Sequence, residues 1–169
     1  PEVIAHEYGH AIHENQVPGF GASFENLETF AIGEGWSDFL SGAYSSPMSG
    51  GHGDLCLGEW FAVGLEEVTG KHMECTRRLD STKHYPEAMV GEPHDDGEMW
   101  SASLWRIFEA LGRESALRLI LQSNFYLPVS ATFDDAAQAV LRADRELHGS
   151  SNVDIITRIF IDRGFLRPP

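Results

Sequence analysis

Residues 2–14 of the chain read EVIAHEYGHAIHE, and residues 28–43 read ETFAIGEGWSDFLSGA. In both stretches apolar residues recur at intervals of three and four, which is the period of an amphipathic helix. Between them, Val-Pro-Gly-Phe-Gly at 17–21 places a proline and two glycines where a helix does not continue. The two stretches therefore predict a pair of helices joined by a turn that lets the second fold back on the first.

The helical period continues along most of the remaining sequence. Further helices are predicted over 57–68, from Asp96 as a cap to Gly112, around 117–121, from a Thr132–Asp135 capping box to about Leu147, and over 153–163 with Gly164 as the stop. Residues 45–58 read as a loop and 69–93 as irregular polar chain, and no alternating strand pattern of any length occurs. The expected fold is a mainly α-helical bundle, with 1–169 as a single domain.

The composition argues against several classes of binding partner. The chain has 169 residues and a net charge of −14, which disfavours a nucleic-acid backbone or an anionic membrane as partner. No apolar run approaches the roughly 18 residues that a membrane span needs. The two cysteines, Cys56 and Cys75, fit either one disulfide or two buried thiols, and their number does not decide between these.

The segment His6-Glu7-Tyr8-Gly9-His10 is an HExxH motif. On a helix, His6 and His10 lie about 40° apart and one turn along, so both imidazoles can reach one metal ion. Zinc binds such nitrogen ligands in a tetrahedron, and Glu7 flanks the metal as a general base would. The alternative is two surface histidines on an ordinary helix.

A catalytic zinc needs a third protein ligand and an open fourth position. Glu34 is the best third ligand, because it lies on the next helix and the turn after Pro18 lets that helix fold back. Asp38 is four residues further on the same face, where its carboxylate can accept the second ring N–H of a ligand histidine. The alternative is that Glu34 is a solvated acid and Asp38 an ordinary surface charge.

HEYGH followed by GEGWSDF resembles the fungalysin group of thermolysin-like zinc metalloendopeptidases. A third segment, HDDGEMW at 94–100, resembles the part of that family that carries a histidine stabilising the transition state. The resemblance implies that His6, His10 and Glu34 bind zinc and that Glu7 is the catalytic base. It further implies that Asp38 supports a zinc histidine.

The same resemblance assigns the transition-state role to His94. It also implies the fold of the family's α-helical C-terminal lobe, hydrolysis of proteins or peptides by a zinc-activated water, and secretion.

Three features depart from the family pattern. The thermolysin prototype has a tyrosine between the second and third ligands, and residues 11–33 contain none, which leaves Tyr85 as a weak replacement. The β-rich lobe that precedes the active-site helix is missing, so the sequence is expected to be a poorly active piece of a longer protein. No loop has a convincing calcium pattern. The missing lobe and tyrosine motivate an alternative function, a catalytically inactive, zinc-stabilised binding module.

Overall fold

The computed structural model describes residues 2–22, 26–45 and 55–168. These residues form seven helices and two short strands: α1 (Glu2–Gln16), α2 (Leu27–Ser45), β1 (Cys56–Leu57), α3 (Glu59–Thr69), β2 (Arg77–Arg78), α4 (Pro93–Leu111), α5 (Arg113–Asn124), α6 (Phe133–His148) and α7 (Val153–Arg163). The prediction of a mainly α-helical fold is confirmed. Of the predicted loop at 45–58, residues 46–54 lie outside the described residues.

Helix α2 packs against both α1 and α4. It crosses α4 at a pair of glycines, since a Cβ on Gly35 would lie 2.2 Å from the carbonyl oxygen of Gly97. A Cβ on Gly97 would in turn lie 2.7 Å from the carbonyl oxygen of Ala31. Any larger residue at either position would push the helices apart, so the glycines keep the first turn of α4 beside Glu34.

One part of the core is a cluster of aromatic rings contributed by α4, α6, α7 and the chain after α7. Trp100 stacks on Phe160 with ring centroids 5.5 Å apart, and Phe133 stacks on Phe165 at 4.4 Å. The predicted capping box is confirmed: the hydroxyl of Thr132 accepts the N–H of Asp135, whose carboxylate accepts the N–H of Thr132. These contacts fix the end of the bundle against which α4 packs.

The predicted start of α4 is wrong by several residues. The helix begins at Pro93, and the N-cap is Glu92, whose carboxylate accepts the N–H of Asp95. Asp96 is instead buried inside the first turn, where its two carboxylate oxygens accept the N–H groups of Val90 and Gly91 at 2.8 and 2.9 Å. Asp96 therefore fixes the chain that leads into α4 rather than capping the helix.

A small two-stranded sheet occurs where no strand is predicted: β1 lies at the end of the predicted loop, and β2 lies in the segment predicted to be irregular. Strands β1 and β2, which helix α3 connects, pair antiparallel with Leu57 opposite Arg77. Cys56 and Cys75 form a disulfide that links β1 to the chain just before β2, which decides between the two states that the sequence left open. Leu79, directly after β2, is fully buried against Gly42 of α2. The disulfide thus holds the small sheet together, and Leu79 attaches it to α2.

Removal of the disulfide should destabilise the protein. The bridge joins residues 19 apart in sequence, and loop closure of that length contributes about 3 kcal/mol in the chain-entropy model. The double variant Cys56→Ser, Cys75→Ser should therefore melt roughly 6–12 °C below the wild type in a circular-dichroism scan. A reductant should lower the melting temperature of the wild type and leave that of the variant unchanged. Two alkylatable thiols in native, unreduced protein would contradict the bridge.

Among the described residues, no helix combines the length and the apolar character that crossing a membrane requires.

Candidate metal centre

Three side chains from two helices converge on one point. The Nε2 atoms of His6 and His10 lie 3.0 Å apart, and Oε2 of Glu34 lies 3.1 Å from the first and 3.5 Å from the second. Ligands at about 2.0–2.1 Å around a tetrahedral zinc ion are separated by roughly 3.3 Å. The three donor atoms therefore already have the spacing of three corners of a zinc tetrahedron, and the residues fit the metal that the sequence predicts.

Local structure explains this convergence. His6 and His10 occupy i and i+4 on α1, so their rings meet edge to face with centroids 4.7 Å apart. Gly9 of the same helix faces α2, and a Cβ there would lie 3.0 Å from both Cα and Oγ of Ser37. This close approach brings the two histidines within reach of Glu34.

Asp38 holds the ring of His6 from the side opposite Glu34. The Nδ1–H of His6 donates to Oδ1 of Asp38 at 2.7 Å, which leaves Nε2 free to face the centre. Asp38 is only 1% exposed and also pairs with Arg77, whose Nε and Nη2 lie 2.5 and 2.8 Å from its two carboxylate oxygens. Burial alone would raise the pKa of Asp38, but the contacts to His6 and Arg77 keep it below its usual value.

The electrostatics of the centre favour positive charge. Burial would lower the pKa of His6, but hydrogen bonds to Asp38 and Glu34 outweigh burial and raise it to about 9. Burial likewise opposes ionisation of Glu34, yet contacts with His10 and His6 keep its pKa far below the ordinary glutamate value. The buried carboxylate of Asp38 and the half-buried one of Glu34 thus hold a cation between them, and a dication can take the place of the proton on His6.

His94 reaches the same centre from α4. It lies in the first turn of that helix rather than before it, and its Nε2 is 3.3 Å from Oε2 of Glu34. Its other ring nitrogen is 2.7 Å from Oε1 of Glu92, the N-cap residue. Glu7 is exposed and lines the same cavity as His6 and His94. All six residues singled out from the sequence therefore lie around one site.

Two neighbouring residues do not join the centre. The hydroxyl of Tyr85 donates to Glu28 at 2.9 Å, and the Tyr85 ring packs on Phe133 and Phe165. Tyr85 therefore packs against the aromatic core and does not face the metal centre. His13, one turn after His10, is buried between Phe20 and Trp36 at ring-centroid distances of 4.4 and 5.4 Å. Burial, with a smaller effect of His10, lowers the pKa of His13 to about 4, so it is a neutral core residue.

Sequence reasoning missed Arg77 and Glu92. Arg77 is 39 positions from Asp38, and the pairing of β2 with β1 brings it there. Glu92 lies before the start of α4 that the sequence predicts at Asp96. Neither residue belongs to a short motif, so no sequence signal pointed to either of them.

A helical fold with an HExxH pair and a glutamate from the following helix places this chain in the class of metallopeptidases. The model of the family "Fungalysin metallopeptidase (M36)" matches residues 1–166, and the chain belongs to that family.

Related proteins agree with this membership. The chain is 24% identical over 186 residues to "Extracellular metalloproteinase 3" of Arthroderma gypseum, covering 96% of this chain and 29% of that protein. The proteins of the same name from Trichophyton soudanense and Trichophyton violaceum are also 24% identical, with 96% of this chain and 48% of each relative covered. The chain thus spans less than half the length of these relatives.

Proposed function

We propose that this chain carries the active site of a zinc-dependent metalloendopeptidase that hydrolyses peptide bonds. One observation carries the proposal: three zinc-type donor atoms converge at tetrahedral spacing beside a cavity that is also lined by a free carboxylate, Glu7, and an imidazole, His94. Three converging ligand atoms alone would also suit a structural zinc site. A structural zinc is usually closed by a fourth protein ligand, whereas the described residues contribute a set of three, His6, His10 and Glu34.

His6, His10 and Glu34 would hold a zinc ion, which would supply Lewis acidity to a scissile carbonyl and to a water molecule. Glu7 takes a proton from the attacking water and returns it to the leaving amine, since an exposed carboxylate beside the centre can do both.

The remaining groups orient a metal ligand and stabilise the transition state. Asp38 fixes the tautomer of His6, so that its Nε2 lone pair faces the metal. His94 donates from Nε2 to the oxygen that gains negative charge, and Glu92 orients that imidazole through its contact with Nδ1 at 2.7 Å. Donation of this type contributes about 3–4 kcal/mol to transition-state stabilisation in other enzymes.

The proposal extends to the whole protein. Residues 1–169 form one domain, which pairs with a lobe that precedes α1 in the parent chain. Exposed apolar residues on α1 support this, since Ile4 is 76% and Tyr8 is 65% exposed, and both line an apolar groove between α1 and α2. The substrate is a protein or peptide. The protein is secreted, which agrees with the disulfide and with the extracellular relatives.

The test combines metal analysis with hydrolysis. The purified complete parent protein should contain about one zinc ion in this domain and cleave a quenched fluorescent peptide, and a chelator should stop the cleavage until zinc is restored. The inactive binding module makes a different prediction, because it would hold zinc and cleave nothing. Zinc binding without cleavage by the complete parent protein would therefore overturn the enzymatic assignment.

A further inference from the structure

The cavity beside the metal centre is lined at its far end by an acidic residue. It measures about 290 Å³, begins at His6, Glu7 and His94, and extends along α1 towards Glu2. Glu2 precedes His6 by four residues, so it lies one helical turn, about 6 Å along the axis, from the metal ligand. A side chain entering from the centre would therefore meet the carboxylate of Glu2 after crossing the cavity.

Glu2 has no cationic partner among the described residues. One carboxylate oxygen accepts the N–H of Gly58 at 3.0 Å, and the main-chain carbonyl of the same residue accepts the hydroxyl of Ser41. These two bonds tie Glu2, at the start of α1, to α2 and to the residue that follows β1. They leave its negative charge without a counter-ion at the end of a partly enclosed cavity.

The walls between the centre and Glu2 suit a long side chain with a charged tip. Leu57, Trp60 and Phe61 line them, and the last two are exposed aromatic rings at the start of α3. Apolar walls bind the methylene stem of lysine or arginine, and an aromatic face attracts the cation itself. The chain's net charge of −14 adds a general attraction for basic peptides.

The cavity also contains a cation, Arg77, which in isolation would favour an acidic side chain. Two of its guanidinium nitrogens are already bound to the buried carboxylate of Asp38, at 2.5 and 2.8 Å. Arg77 is thus already paired with a carboxylate. The other acidic groups of the lining are Glu7, beside the metal centre, and Glu2, at the far end where the tip of a long side chain would arrive.

We propose that this cavity is a specificity pocket that binds a lysine or arginine side chain of the peptide, next to the scissile bond, with Glu2 as its counter-charge. The inference rests on the proposed function, and it names the substrate class of that same site. Glu2 makes the selection and takes no part in the chemistry.

The experiment compares three peptides that differ only in one residue beside the cleaved bond: lysine, norleucine, which has a linear apolar side chain without the terminal amine, and glutamate. The residue is varied on each side of the bond in turn, and products are identified by mass spectrometry. When the residue on one particular side of the scissile bond is varied, the wild type should cleave the lysine peptide with a kcat/KM at least about tenfold above that of the norleucine peptide. One charge-assisted contact contributes enough binding free energy for a difference of that size. The glutamate peptide should be the poorest.

Glu2→Gln should reduce the ratio of lysine to norleucine to about one, because the amide keeps an acceptor for Gly58 and loses the charge. Glu67→Gln, the same change on the exposed surface of α3, should leave the ratio as it is. A second readout is independent of turnover: in the Glu7→Gln background, the lysine peptide should perturb tryptophan fluorescence at a lower concentration than the norleucine peptide. Addition of Glu2→Gln should remove that difference.

The outcomes separate the two hypotheses. Equal cleavage and equal binding of the three peptides would overturn the specificity pocket and leave the peptidase intact. A preference for lysine that survives in Glu2→Gln would also overturn it. Absence of cleavage with every peptide would count against the proposed function, while the fluorescence titration would still decide whether Glu2 selects a basic side chain.

Discussion

Replacement of Glu7 by glutamine should abolish most peptide hydrolysis while the protein keeps its zinc. Glutamine has nearly the shape of glutamate, but it cannot accept the proton of the attacking water. General-base catalysis contributes roughly a factor of 10² to 10⁴, so kcat should fall by at least two orders of magnitude. Because Glu7 is exposed, its replacement should leave the fold unchanged.

The measurement is kcat and KM for one peptide, together with the zinc content of each preparation. Glu14→Gln is the matched control, since it makes the same change at an exposed position two turns further along α1. The control should retain wild-type turnover. If Glu7→Gln also retained turnover with zinc bound, another group would have to be the base, and the role assigned to Glu7 would be wrong.

The sequence was sufficient for the parts of the site that depend on helical spacing. His6 and His10 share a face of α1 because they are four residues apart, and Glu34 and Asp38 share a face of α2 for the same reason. The turn at Pro18 predicted that the two faces would meet. The structure places the donor atoms of the three predicted ligands 3.0 to 3.5 Å apart, as this reasoning requires.

The sequence alone did not predict which of two acidic residues caps the start of α4. Asp96 and Glu92 both precede helical residues, and both acids can accept N–H groups at a helix start. Pro93 decides between them, because proline is well suited to the first helical position and its missing N–H costs nothing there. Asp96 is then inside the helix, and its carboxylate binds the preceding turn instead.

Contacts between distant segments were also beyond prediction. The pairing of Arg77 with Asp38 depends on the register of a two-stranded sheet that has only two residues in each strand, with α3 between the strands. Strands of that length have no alternating pattern that a sequence could reveal. The disulfide and the burial of Leu79 set the register, and both follow from the tertiary fold.

Replacement of His10 by alanine should remove most of the bound zinc. Two donors, His6 and Glu34, would remain, and a catalytic zinc site needs three protein ligands. We expect zinc content after dialysis to fall by about tenfold or more, with hydrolysis falling in proportion. His72→Ala is the matched control, because His72 is an exposed histidine paired with Glu66 on the surface. It should keep about one zinc ion per chain.

No neighbouring group can restore the site in His10→Ala. His13 is the nearest other histidine on α1, but Phe20 and Trp36 hold its ring in the core, and its Nε2 atom is inaccessible to solvent. His94 approaches Glu34 at 3.3 Å, yet it is not among the residues whose donor atoms all lie within 4.8 Å of one another, which are His6, His10 and Glu34. A far-ultraviolet circular-dichroism spectrum should confirm that the variant keeps its helices. Wild-type zinc content in such a folded variant would mean that the metal is bound elsewhere, and the assignment of all three ligands would fail.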